Sequence, residues 1–168
     1  MEKITIFGEV HFEPSSVASI QDAIRKLKPT VIVHEMLGSG IYTVEEAKEA
    51  LDTAGHPDSP CDPELNIDVF RLGVELNAKL FGCDLSEHQM KEIAHKPLYK
   101  QFAAREARML EVIHGISDKR NMVVVVGDIH LRRTWNRSMG PSPITVSWEK
   151  GRLDATIIRA PEEFQEMK

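Results

Sequence analysis

Cysteine is scarce in this chain. Cys61 and Cys83 are the only two thiols and stand far apart with no Cys-x-x-Cys, which argues against a disulfide framework or a thiolate zinc site. Cys83 lies in an apolar run and reads as a small core residue. Basic charge is short too. The 21 Lys and Arg against 26 Asp and Glu leave a formal net charge of −5, the wrong sign for a general nucleic-acid binder. No apolar run reaches membrane-spanning length, and the N-terminus enters a strand at once with no signal-peptide core. A cytoplasmic protein with no membrane contact is the expectation. Missing as well are a Gly-x-Ser-x-Gly nucleophile elbow, a P-loop and a dinucleotide-binding glycine fingerprint. Nucleophilic catalysis therefore ranks below water activation.

What is present is 168 residues of ordinary globular make-up, 42% hydrophobic and 28% charged. That is enough for one domain with its own core, here residues 1–160, followed by a short tail, 161–168. The chain is organised around Met122–Leu131, where four valines run into Gly127, Asp128, Ile129 and His130. Such a run of β-branched residues is the pattern of a strand buried on both faces. Near the start, Ile4–Phe7 runs into Gly8, Glu9, Val10 and His11 in the same way. Residues two apart on an extended chain point the same way, so each motif is expected to present its acid and its imidazole to one side. A third apolar run, Thr30–Val33, ends in His34 and Glu35, and a fourth, Leu80–Cys83, ends in Asp84. One Gly-acid-x-His is a weak signal. Its recurrence on two distant strands, with acids ending the strands between, marks a site at the strand carboxyl ends, where parallel α/β sheets build them.

The spaces between these strands read as helices. Pro14 opens one that Pro29 closes, and strand, helix and strand form a right-handed βαβ unit. Thr43 and Glu46 make a capping box for the next helix. The stretch from His56 to Pro63, broken by three prolines, is loop, either an ordinary connection or a cover for the site. Asp62 and Pro63 are expected to start a helix reaching Asn77, and Ser86 one reaching His95. The helix from Leu98 to Ile116 carries an apolar stripe of Leu98, Phe102, Met109, Val112 and Ile116. Arg105 interrupts that stripe. A guanidinium there either snorkels to water or reaches an anion. Arg105 is expected to pair with Glu9, Glu35 or Asp128. After His130 come Arg132, Arg133, Trp135 and Arg137. Ile144–Glu149 and Arg152–Ala160 flank Lys150 and Gly151 and read as a β-hairpin extending the sheet. The fold class is α/β, a three-layer sandwich with a central, mostly parallel sheet.

Carboxylates and imidazoles without thiolate suit Mn2+, Co2+, Fe2+ or Zn2+, and such a site could activate water and polarise a carbonyl or phosphoryl group. Without metal, clustered acids raise one another's pKa values, and one could act as a base.

Taken in order, Gly8-Glu9-Val10-His11, Glu35, Asp84, Arg105 in Arg-Glu-Ala-Arg-Met, and Gly127-Asp128-Ile129-His130 resemble the TraB/TIKI and erythromycin-esterase/ChaN-like superfamily. That group has two Gly-x-x-His motifs, a Glu after the second strand and an Arg on the helix before the last motif. The resemblance runs over residues 4–133. Where TraB-like sequences place a Gly three residues after the last His, this chain has Arg133. Family members include metal-dependent peptidases, macrolide esterases and a haem-binding lipoprotein. The resemblance implies that His11 and His130 are metal ligands or catalytic histidines, Glu9 and Glu35 catalytic or ligating acids, and Arg105 the site's cation. The expectation drawn from residues and resemblance together is a hydrolase of ester or amide bonds in a small-molecule or peptide substrate. His11, Glu35 and His130 would hold a divalent ion, Glu9 or Asp128 would move protons, and Arg105 or Arg132 would steady the developing anion. Two alternatives stay open. One is a metal- or ligand-binding module without turnover. The other is a calcineurin-like metallophosphoesterase, suggested by Asp128-Ile129-His130 but lacking that family's other motifs.

Overall fold

The computed structural model describes residues 4–117, 121–133 and 139–160; Trp135, Arg137 and the tail from Pro161 lie outside them. Strand β1 (Ile4–Glu9) leads through α1 (Pro14–Leu27) to β2 (Val31–His34). A short β3 (Ile41–Tyr42), α2 (Val44–Asp52) and α3 (Ile67–Leu76) then lead to β4 (Lys79–Gly82). Helices α4 (Glu87–Ile93) and α5 (Leu98–Gly115) precede β5 (Met122–Gly127), and α6 (Pro143–Glu149) precedes β6 (Ala155–Ile158).

The strands form one sheet in the order β3-β4-β2-β5-β1-β6, parallel except for β3. All of β5 is buried, which is why it could be written almost wholly in valine: with helices on both sides, neither face needs a polar residue. Its side chains divide by period two. Val123 and Val125 join Phe7, Ile32 and Leu80 under α1, α2 and α3. Met122, Val124 and Val126 join Ile4, Ile6, Val31 and Val33 under α5 and α6. These two cores are the inner faces of a three-layer α/β sandwich. Steps toward the β3 edge cross the α1–α3 face and steps toward the β6 edge cross the other, which keeps every parallel crossover of one hand. Among the described residues no helix is long and apolar enough to cross a membrane.

Three expectations need correction. The C-terminal hairpin is absent: residues 143–149 are α6, and β6 joins the sheet parallel to β1. Ser142 accepts from the Thr145 amide at 3.2 Å and Pro143 fills the first turn. These start signals, with full burial of Ile144, outweigh the strand propensity of Ile-Thr-Val. Helix α3 starts at Ile67 rather than at Asp62, whose side chain instead accepts from the Glu64 and Leu65 amides in a turn. On α5 the buried face runs through Glu106, Met109 and Ile113, while Leu98 is 60% exposed.

Candidate functional site

Register brings the strand ends to one edge. Glu9 lies opposite Gly127 across β1 and β5, and His34 lies opposite both Val125 and Gly82. Past these points the backbone breaks into 3-10 turns, Glu35–Leu37 after β2 and Asp128–Leu131 after β5. The ends of four parallel strands thus meet in one crevice.

Glu35 is its centre. Its Oε2 accepts the Gly127 amide at 2.6 Å and lies 3.2 Å from His11 Nε2. Its Oε1 accepts from Arg105 at 2.6 Å and lies 3.3 Å from His130 Nε2. Each imidazole is backed at its other nitrogen by a carboxylate. His11 Nδ1 is 2.7 Å from Glu9 Oε1, and His130 Nδ1 is 3.1 Å from Glu106 Oε1. Arg105 also grips Asp84 in a fork, at 3.0 and 2.6 Å, and Arg132 forms a second fork on Glu106. The Phe102 ring stands between the two forks, its centroid 5.9 Å from each guanidinium carbon and 5.2 Å from the His130 ring. The result is one hydrogen-bonded chain, Glu9–His11–Glu35–His130–Glu106, with an arginine at its middle and another at its end.

Its charge state follows from the neighbours. Burial opposes a proton on His11, but hydrogen bonds to Glu35 and Glu9 outweigh it and raise the pKa from 6.5 to about 9. His130 is raised for the same reason: burial works against the charge, and Glu106 and Glu35 overcome it. Burial would lift the Glu35 carboxyl, yet bonds from His11 and His130 hold it well below the usual carboxylate range. His34 goes the other way. Burial lowers it to about 4 against the pull of Glu9.

Among the described residues no three His, Cys, Asp or Glu side chains stand at the spacing of a ready-made metal cage. The donor set still fits a divalent ion on two counts. Glu9, Glu35, Asp84 and Glu106 against Arg105 and Arg132 leave a surplus of two negative charges when both imidazoles are neutral. Two protons or one divalent ion would balance that surplus. Each oxygen of Glu35 keeps one lone pair beyond those taken by Arg105 and Gly127, where the histidines now bond. The expected ligands His11, Glu35 and His130 would supply the donors, with Glu9 and Glu106 orienting the imidazoles in the manner usual for metal-bound histidine.

The expected residues are therefore mostly brought together. Glu9, His11, Glu35, Arg105 and His130 share the network, and Arg105 finds Glu35 as expected, with Asp84 besides. Asp128 is not joined to them by these bonds. Its buried carboxylate accepts from Arg159 at 2.7 Å and from the Ala160 amide at 2.9 Å, clasping the end of β6. The physical reason is the 3-10 turn, which sends residues two apart to different sides where a strand would keep them together. Arg132 is likewise committed, to Glu106 and to the carbonyls of Gly140 and Ile129. Two residues were missed. Glu106 stands beside His130 where Asp128 was expected, and its signal was its place on the helical stripe between Phe102 and Met109. His34 shares a strand face with Ile32, two residues before it.

A cleft of about 330 Å³ opens beside His11 between α1 and α3, with Glu9, His34 and Met36 among the residues lining it. Of the loop from His56 to Pro63, only the last residue, Pro63, contributes to the lining.

The fold and this strand-end centre define an α/β sandwich protein with a buried histidine–carboxylate network. No family model and no curated protein matches the chain. Among solved structures it is similar to two titled "Bacterial protein toxins" and "Crystal structure of bacterial protein toxins", 20% and 22% identical, each with a TM-score of 0.55. The matches cover 98% and 96% of this chain but 35% and 34% of those chains. The chain thus spans about a third of their length, and at this identity the likeness is one of fold.

Proposed function

We propose that this chain hydrolyses ester or amide bonds of a small-molecule or peptide substrate, with a divalent metal ion, at the carboxyl ends of β1, β2 and β5. One observation carries the reading: two imidazoles, each backed by a carboxylate, aim their Nε2 atoms at the two oxygens of one glutamate beside an open cleft. His11 is the half-exposed member and lines that cleft, so Glu9–His11 is the pair that meets substrate. Water adds to the carbonyl carbon, the bond to the leaving oxygen or nitrogen breaks, and Glu9, which lines the cleft, carries the proton from water to the leaving group. Glu9 also orients the His11 ring through its Nδ1. Arg105 steadies negative charge near Glu35. Glu106 and Arg132 keep His130 in place from below. A divalent ion held by His11, Glu35 and His130 would supply Lewis acidity and a more acidic water. A cytoplasmic setting belongs to this reading, since both buried cysteines are free thiols.

Metal analysis of the purified protein, with ester and peptide assays before and after chelation, tests it. Variants H11A and H130A should each lose activity and metal uptake with an unchanged circular dichroism spectrum. Ion binding near neutral pH should release protons, since His11, raised to about 9, holds one there that the ion must displace. Activity that survives chelation, in a protein whose two variants take up metal like wild type, overturns the metal. The hydrogen-bonded, proton-rich network favours one second reading, metal-free acid–base hydrolysis by the same histidines.

A further inference from the structure

His34 is a buried imidazole with no part in the network just described. Its Nδ1 accepts from the Met36 amide at 3.2 Å, so the ring proton of the neutral form sits on Nε2. Among the described residues that N–H has no acceptor, yet it is not sealed in the core. No buried polar side-chain atom in the described structure lacks a partner, and His34 lines the cleft, so Nε2 opens onto it. Period two along the strands puts His34 with Ile32, and Glu9 with Phe7, on the face covered by α1 and α3. An unused donor thus shares one cleft with the Glu9–His11 pair.

The rest of the cleft is selective by composition. Val17, Ile20, Ile24, Val69 and Leu72 form apolar walls. The carboxylates lining it are Glu9, Glu64 and Asp68, and neither Lys nor Arg lines it. Positive charge is confined to His11 at the catalytic end, so a carboxylate or phosphate carried on the acyl chain would meet Glu64 and Asp68 without a Lys or Arg to offset them. Its volume of about 330 Å³ is at the small end for ligand sites, room for an acyl group and not for a folded peptide.

We propose that the α1–α3 cleft takes the apolar acyl group of an uncharged ester or amide, with His34 Nε2–H donating to the substrate's carbonyl oxygen beside His11. This rests on the hydrolase reading and adds to it a substrate class and a catalytic residue. A neutral imidazole is well suited to the task, because it donates without bringing a charge that must be neutralised in an apolar pocket.

The test uses two probes on the full chain. Hydrolysis is followed with 4-nitrophenyl esters from acetate to octanoate and with the anionic hemisuccinate. Binding is followed by NMR titration with octan-2-one, an uncharged ketone that cannot be hydrolysed. Wild type should prefer the middle-length acyl chains, discriminate against the hemisuccinate, and shift the His34 and Val17 signals with the ketone. V17W, which fills the cleft, should lose the chain-length preference and the ketone shifts with an unchanged circular dichroism spectrum. H34F should lower kcat/KM about tenfold, the worth of one hydrogen bond to the reacting carbonyl, and H34Q, which restores a donor, should recover much of it. Ketone binding that V17W abolishes, in a protein that hydrolyses nothing, leaves the cleft standing and fails the hydrolase. Hydrolysis that needs His130 but is indifferent to V17W and H34F overturns the cleft assignment and leaves the hydrolase standing. A wild type that neither binds the ketone nor hydrolyses any ester overturns both.

Discussion

Gly8 and Gly127 each make room for the other motif. A Cβ on Gly8 would stand 2.2 Å from Asp128 Oδ1, and one on Gly127 would stand 3.1 Å from His11 Nε2 and 3.3 Å from Glu35 Oε2. G8A must displace a buried carboxylate and should cost on the order of 2 kcal/mol in urea unfolding. G127A needs only a small retreat of two side chains, so it should keep most stability and lose activity, read as kcat/KM against Tm. The histidines set opposite pH limits. The pKa of His11 is raised, so its stabilising contribution is complete below its unfolded value of 6.5 and is lost as pH climbs through about 9. That of His34 is depressed, so a neutral buried ring contributes above 6.5 and the contribution is lost as pH falls toward about 4. Tm should peak near pH 6.5, with H11A flattening the alkaline side and H34Q the acid side. In the metal-free reading activity needs His11 unprotonated, so kcat/KM should rise through about pH 9. A bound ion competes with those protons and should move that limb to lower pH.

Helix α5 serves both halves of the network from consecutive residues. Arg105 turns to Glu35 and Asp84, and Glu106 turns to His130 and Arg132. Glu106 is 1% exposed. E106Q leaves the buried Arg132 without its anion and should destabilise by about 3 kcal/mol or more, while E106L/R132M, which removes both charges, should recover much of the loss. Denaturant midpoints of the three proteins decide it. Elements of this kind show what the sequence could and could not reveal. The apolar strands were legible because burial on both faces forces an unbroken β-branched run. The acids and histidines at their ends were legible by position. Glu106 was hidden because a carboxylate on an apolar stripe reads as an error in the stripe, and its partner Arg132 lies 26 residues away. The hairpin was misread because β-branched residues can serve a buried helix once a cap and a proline have started it. Asp128 turns away from His130 because the two motifs share letters but not backbone. One continues as strand through its acid, and the other turns into a 3-10 helix.

At the scale of the whole molecule, Asp128 fastens the last described strand to the site edge through Arg159 and the Ala160 amide. D128N should weaken that clasp. Hydrogen exchange in β6 should quicken and Tm should fall, while kcat/KM stays within about twofold of wild type if Asp128 handles no catalytic proton. A collapse of kcat/KM with Tm intact would return Asp128 to the chemistry. The sheet order carries a consequence of another kind. β5 is the fifth strand made but sits between β1 and β2, so those two have no common neighbour until it exists. A ribosome that has reached Ile116 has already made His11, Glu35, Asp84, Arg105 and Glu106. It has not yet made Gly127, whose amide fixes Glu35, or His130. The long separation between β1 and β5 also makes their pairing a slow, late closure. Nascent chains should therefore stay chemically silent until His130 has been made and acquire the complete centre in one step, when a single valine-rich strand slots into the gap.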